Sequence, residues 1–164
     1  MFPQSKKSGF TLIETLVVVA IIGVIASILL VSLNTVRKRG RDAKRKAEVA
    51  QVGRLLSASC YLPDAGPGEY DLLVLVPELA AKYPQYTQYV TRIPKDPAGT
   101  ETESKYVYTV NVSGRCAVFA NLEYEDEPVT LTALTAPTPG GGTGVLEAAS
   151  SGWNGTPKYF QVSN

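Results

Sequence analysis

Three residues near the start of the chain have types and spacing that imply chemistry: Gly9, Phe10 and Glu14, the acid lying inside an otherwise apolar run from Phe10 to Leu33. An ionised carboxylate among such side chains is costly unless something pairs with it, so an acid there points to function. Gly9 is the only small residue beside a plausible processing point. Cleavage between Gly9 and Phe10 would leave the hydrophobic segment on the mature chain and create a new α-amine at Phe10, four positions before the Glu14 carboxylate. A lone copy in a membrane would then carry an unpaired charge that docking beside another copy repairs. The alternative is a tolerated polar residue near the end of a generic anchor, reaching back to the interface.

Elsewhere the chemistry is sparse. The chain has no His, which removes Ser-His-Asp catalysis and most zinc sites. Its two cysteines, Cys60 and Cys116, are too few for a thiolate metal cage. No nucleophile and base, Gly-rich phosphate loop or cofactor motif accompanies the acids, so the reading is not an enzyme. Aromatic and basic residues are not interleaved, so specific nucleic-acid recognition is not expected.

The element that positions Glu14 is the run Phe10 to Leu33, roughly 24 residues or about 36 Å as a helix. That length crosses a bilayer core of about 30 Å. A secretory signal has an apolar core of about 7 to 15 residues followed by its cleavage site. Here the apolar part is longer and Gly9 precedes it, behind the short basic stretch Met1 to Ser8.

Lys6-Lys7-Ser8-Gly9-Phe10-Thr11-Leu12-Ile13-Glu14 resembles the class III leader of type IV prepilins and of the pseudopilins of type II secretion. The resemblance implies cleavage between Gly9 and Phe10 by a membrane prepilin peptidase, N-methylation of Phe10, and pairing of Glu14 with the Phe10 amine of a neighbouring subunit. It further implies a helical homopolymer built by an inner-membrane assembly platform and its ATPase. The chain would sit in the cytoplasmic membrane as a single pass, N-terminus inside, and afterwards in a surface or extracellular filament. A pilin of a type IV pilus is the leading expectation. The alternatives are a pseudopilin of a type II secretion or DNA-uptake system, or a membrane-anchored binding domain that never polymerises.

Net charge is only +1 but strongly segregated. Arg37, Lys38, Arg39, Arg41, Lys44, Arg45 and Lys46 face a single acid, Asp42, whereas the chain from Ala47 onward carries about −6. This basic collar has two candidate partners: anionic headgroups, at about 1 kcal/mol per charge, or acidic patches of neighbouring subunits. The positive-inside rule, counting the collar against Lys6 and Lys7, would put the C-terminal domain in the cytoplasm. The prepilin-like leader and the cysteine pair argue for the opposite topology.

Residues 1–9 therefore read as a cleaved leader, 10–33 as a transmembrane and assembly helix, and 34–61 as collar plus amphipathic continuation. Residues 62–136 read as a globular loop and sheet, and 137–164 as linker and tail. No Pro lies between Pro3 and Pro63, and Val49, Val52, Leu56 and Cys60 recur at helical spacing. One helix from about Thr11 to about Tyr61 follows, near 75 Å long, with Gly23 and Gly40 as its weak points. Leu62 to Gly68 is a turn; Leu72 to Tyr83, broken by Pro77, suggests one or two helical turns. Tyr106 to Asn111 and Cys116 to Leu122, split by Ser113-Gly114, read as a hairpin, and Val129 to Leu134 as a third strand. Ala136 to Gly144 has the composition of a flexible linker. The end of the chain is either a last strand around Lys158 to Val162 or a surface tail.

The expected class is thus α+β: one long N-terminal helix, half transmembrane and half amphipathic, packed on a small antiparallel sheet. That order matches the type IV pilin fold. In an extracytoplasmic domain Cys60 and Cys116 would form a disulfide stapling helix to sheet, contributing about 4 kcal/mol; the alternative is two buried thiols. Major pseudopilins bind Ca²⁺ in a loop comparable to the one holding Asp96, Glu101 and Glu103, but no ordered ligand spacing is present and solvated acids are the preferred reading. No other metal or cofactor is expected. Glu123, Glu125, Asp126 and Glu127 form a second acidic cluster with the same preferred reading.

Overall fold

The computed structural model describes residues 9–57, 60–86 and 93–164. The leader ahead of Gly9 lies outside them. The described chain divides into two compact units, one ending at Arg37 and the other running from Lys38 to Asn164.

Helix α1 spans Leu12–Ser57 without a break at Gly23 or Gly40. In the first unit its described side chains are exposed, and the helix, with a mean hydropathy of 3.1 over its best window, is long and apolar enough to cross a membrane. Two of the hydroxyls there turn inward on the helix: Thr15 Oγ1 donates to the Leu12 carbonyl (2.9 Å) and Ser27 Oγ to the Val24 carbonyl (2.7 Å). Such back-bonding spares these two hydroxyls a need for water, which suits a helix in hydrocarbon.

In the second unit the rest of α1 lies against a five-stranded antiparallel sheet. After α1 come β1 (Gly68–Asp71), α2 (Leu72–Lys82), a short 3₁₀ turn at Pro84–Tyr86, then β2 (Val107–Val110), β3 (Cys116–Asn121), β4 (Gly144–Glu147) and β5 (Lys158–Ser163). The spatial order is β1-β2-β3-β5-β4, so the C-terminal strand is inserted beside β3. Tyr108, Val118 and Val162 stand opposite one another across β2, β3 and β5 and present one apolar face. Val49 of α1, Leu72, Leu75 and Leu79 of α2, and Tyr106, Cys116 and Ala120 complete that core. Val52, Leu56 and Cys60, the rest of the helical stripe, pack partly buried at its edge. Every residue of β3 is buried, because Phe119, Trp153 and Tyr159 form an edge-packed aromatic cluster on the other face. A strand covered on both sides reads as a continuous apolar run, as Cys116 to Ala120 does.

Several expectations need correction. Val129 to Leu134 is a turn: the Leu134 amide bonds to the Leu131 carbonyl (3.2 Å), and Thr130 and Leu131 donate to the Val145 carbonyl (2.9 Å each). The strand expected there is β4, which begins at the last residue of the presumed linker. Nor is that linker free. Gln161, fully buried in β5, accepts from the Thr138 amide (2.8 Å) and donates to the Gly142 carbonyl (2.9 Å), while Ser163 Oγ accepts from the Gly140 amide (2.6 Å). Composition reports what a segment cannot bury, and it misses hydrogen bonds supplied from a distant strand. The end of the chain is the strand of the two readings offered. Helix α2 is longer than one or two turns; Asp71 caps it by accepting from the Leu73 amide (2.8 Å), and Leu72, Leu75 and Leu79 bury one stripe despite the exposed Pro77. Strand β1 was not anticipated, since Gly-Glu-Tyr-Asp is a poor strand composition that pairs only as an edge.

Gly53 matters to packing where α1 meets β5. A Cβ built there would fall 2.6 Å from Val162 Cβ and 2.7 Å from its Cγ1. Neither neighbour is the free end of a long side chain, so the helix would have to lift. Gly53→Val should destabilise the second unit by about 1 to 3 kcal/mol, read as a lower midpoint in chemical denaturation. Gly40→Ala, where no atom lies within 4 Å, should not.

Candidate functional site

Gly9 and Phe10 lie ahead of α1, and Phe10 is 87% exposed. Leu12 is the first helical residue, which makes Thr11 the N-cap. The Glu14 amide donates to Thr11 Oγ1 (3.3 Å), and Glu14 Oε2 accepts in return from the Thr11 amide (2.8 Å) and hydroxyl (2.7 Å). This is a capping box, in which two amides that the first helical turn leaves unpaired are satisfied reciprocally. The signal is present in the sequence as Thr-x-x-Glu ahead of the apolar run. Glu14 also sits in the first turn, where the helix dipole favours an anion. One carboxylate therefore starts the helix directly beside Gly9-Phe10, exposed on a surface otherwise apolar.

The collar behaves differently from its sequence pattern. Arg45 is completely buried, and its guanidinium is enclosed by three carboxylates. Nη1 donates to Asp42 Oδ1 (2.7 Å), Nε to Asp96 Oδ2 (2.6 Å), and Nη2 to Asp96 Oδ1 (2.8 Å) and Glu123 Oε1 (2.5 Å). Burial alone would favour loss of its proton; the hydrogen bonds to Asp96, Glu123 and Asp42 outweigh that and raise its affinity for the proton further. Arg41 grips Glu123 through Nε (2.8 and 3.1 Å) and Nη2. The Arg41 hydrogen bond, opposed by burial and assisted by Arg45, takes the Glu123 carboxyl down to about 2. Lys46 pairs with Glu127, Lys44 lies 3.6 Å from Glu48, and the Arg39 guanidinium stands 4.3 Å from the Tyr124 ring centre. The acidic patches expected on neighbouring subunits are thus partly supplied by this chain's own domain. Glu125 and Asp126 remain exposed.

Asp96, the calcium candidate, is buried with both oxygens already engaged. Besides Arg45 it accepts from the Ala98 amide (2.7 Å) and, at 3.4 Å, from Asn154 Nδ2. Glu101 and Glu103 are exposed, and Lys95 Nζ lies 3.3 Å from the Glu101 carbonyl. Among the described residues no three His, Cys, Asp or Glu side chains converge to hold a metal ion. The donor set does not fit calcium. Cys60 and Cys116 are joined as a disulfide with their Cα atoms 5.5 Å apart, linking the chain just after α1 to β3.

An exposed apolar helix that starts at a Gly-Phe-Thr-x-x-Glu junction, with its later part laid on an antiparallel sheet, is the build of a membrane-anchored subunit with a type IV pilin-like fold. Comparison with known proteins agrees. Residues 4–30 match the family model described as the prokaryotic N-terminal methylation motif. The chain is 30% identical over 107 residues to type II secretion system core protein G of Escherichia coli (strain K12), a match covering 62% of this chain and 73% of that protein. No solved structure matches the chain. The chain belongs to the prepilin and pseudopilin family.

Proposed function

We propose that this protein is a structural filament subunit that polymerises through its N-terminal helix after prepilin peptidase cuts between Gly9 and Phe10 and Phe10 is N-methylated. The observation that carries this reading is the first unit itself: among its described residues, an exposed apolar helix surface bearing one carboxylate, Glu14, in the first turn after Gly9-Phe10. In the membrane, lipid covers that surface; in a filament, the helices of other copies do. Glu14 would exchange its local bonds to Thr11 for the Phe10 amine of the next subunit. The assembly platform and its ATPase would extract copies from the cytoplasmic membrane into a filament outside it. The likeness to type II secretion core protein G favours a pseudopilus of a secretion machine as the second reading, beside a surface pilus.

The test must separate a helix cap from a charge read between subunits. Glu14→Ala removes both, whereas Glu14→Gln keeps a capping-box acceptor and loses only the charge. Both variants should insert and be cleaved, with mass spectrometry giving a mature chain beginning at methylated Phe10, and both should fail to assemble. Filaments of normal yield from Glu14→Gln would assign the residue to capping alone and defeat the pairing.

A further inference from the structure

We infer that Arg45 is the resident cation of the globular unit, and that this unit needs no calcium or other divalent ion to hold its loops. The guanidinium lies where four segments meet. Asp42 comes from α1, Asp96 from the loop ahead of β2, and Glu123 from the segment after β3. Asn154, from the loop ahead of β5, closes on Asp96 at 3.4 Å and donates to the Asn121 carbonyl at 2.7 Å. Loops gathered around a buried positive centre by carboxylates are what a bound cation would organise. Here the centre is covalently part of the helix.

The chemistry of the two arrangements differs. A calcium ion wants six to eight oxygens and leaves when its concentration falls. A guanidinium offers five donors in a fixed plane, keeps its charge at any working pH, and cannot dissociate. Both Asp96 oxygens point at that plane, Nε and Nη2 forming a two-pronged grip. An incoming metal would have to break this grip and leave the arginine charge buried beside it, which like-charge repulsion forbids. The remaining acids of the Asp96 loop, Glu101 and Glu103, are exposed, and among the described residues no three such side chains gather to hold a metal.

The experiment uses the full chain in detergent micelles, with thermal unfolding of the globular unit followed by circular dichroism. The wild-type midpoint should stay within about 1 °C between excess EDTA and millimolar calcium chloride, because a ligand that does not bind the native state cannot shift it. Arg45→Met, close in volume but uncharged, should lower the midpoint by about 10 °C or more. Arg45→Lys, which keeps the charge without the fork, should fall between the two. A saturable rise of the wild-type midpoint with calcium would overturn the inference, as would an Arg45→Met midpoint equal to wild type. If Arg45→Met does not fold, the dependence on Arg45 stands and the wild-type titration decides the calcium question. None of these readouts depends on polymerisation, so they stand or fall apart from the filament reading.

Discussion

Asp42→Ala should destabilise the globular unit by about 3 to 5 kcal/mol, the range for removing one partner from a buried charge network. Asp42 is the lone acid in the basic collar, and its side chain is 1% exposed. Its oxygens accept from Arg45 Nη1 (2.7 Å), twice from the Glu123 amide (3.0 Å each) and once from the Tyr124 amide (2.8 Å). Truncation leaves two amides without their acceptor, at about 1 to 3 kcal/mol each, and takes one of three negative charges from a buried guanidinium. Part of this loss is recovered if water enters the gap, which keeps the total below the plain sum. Asp42→Asn isolates the charge, because its carbonyl oxygen can still accept while its amide faces Arg45 with the wrong polarity. Urea denaturation of both variants checks the expectation. A loss under about 1 kcal/mol for Asp42→Ala would mean that the network contributes little beyond packing.

Replacing both cysteines with alanine should cost about 4 kcal/mol, since the bridge closes a loop with a sequence separation of 56 and so restricts the unfolded chain. Alanine is preferred to serine because Cys116 is fully buried, and a hydroxyl there would add its own desolvation cost. The effect should appear as a lower urea midpoint with a steeper dependence on denaturant, because the unlinked chain exposes more surface on unfolding. Reduction of the wild type should reproduce most of the loss. A thiol assay on denatured, unreduced protein should find no free thiol. Equal stability of the alanine variant and wild type would remove the bridge from the forces holding α1 to β3.

The N-terminal half of the site was legible because its physics is local. A long apolar helix and a match to the N-terminal methylation motif are each defined by a run of consecutive residues. The hairpin of β2 and β3 was legible for a related reason: alternation and a Ser-Gly turn act between neighbours in sequence. What failed was longer in range. Thr130 and Leu131 have strand-forming neighbours, yet they donate to one carbonyl, Val145, and the ladder partner of β5 is a strand that begins only at the last residue of the segment composition marks as linker. Gln161 looks like an ordinary surface residue until three residues of one loop, Thr138, Gly140 and Gly142, are found bonded to it and to Ser163.

The collar shows the same division. Sequence alone determined that seven cations and one acid sit after the apolar run, that a single acid lies five residues after Gly9, and that the chain carries a helix fit for a membrane. Only the tertiary structure decided that Arg45 is buried, that Asp96 faces it rather than a metal, and that Glu123 and Glu127 answer cations some 80 positions earlier. The reason is that a charge's free energy depends on its solvent and nearest partners, which burial changes by several kcal/mol while the residue type stays the same. For Glu14 the solvent was implied by its neighbours in sequence; for Arg45 it was set by residues that only folding brought near.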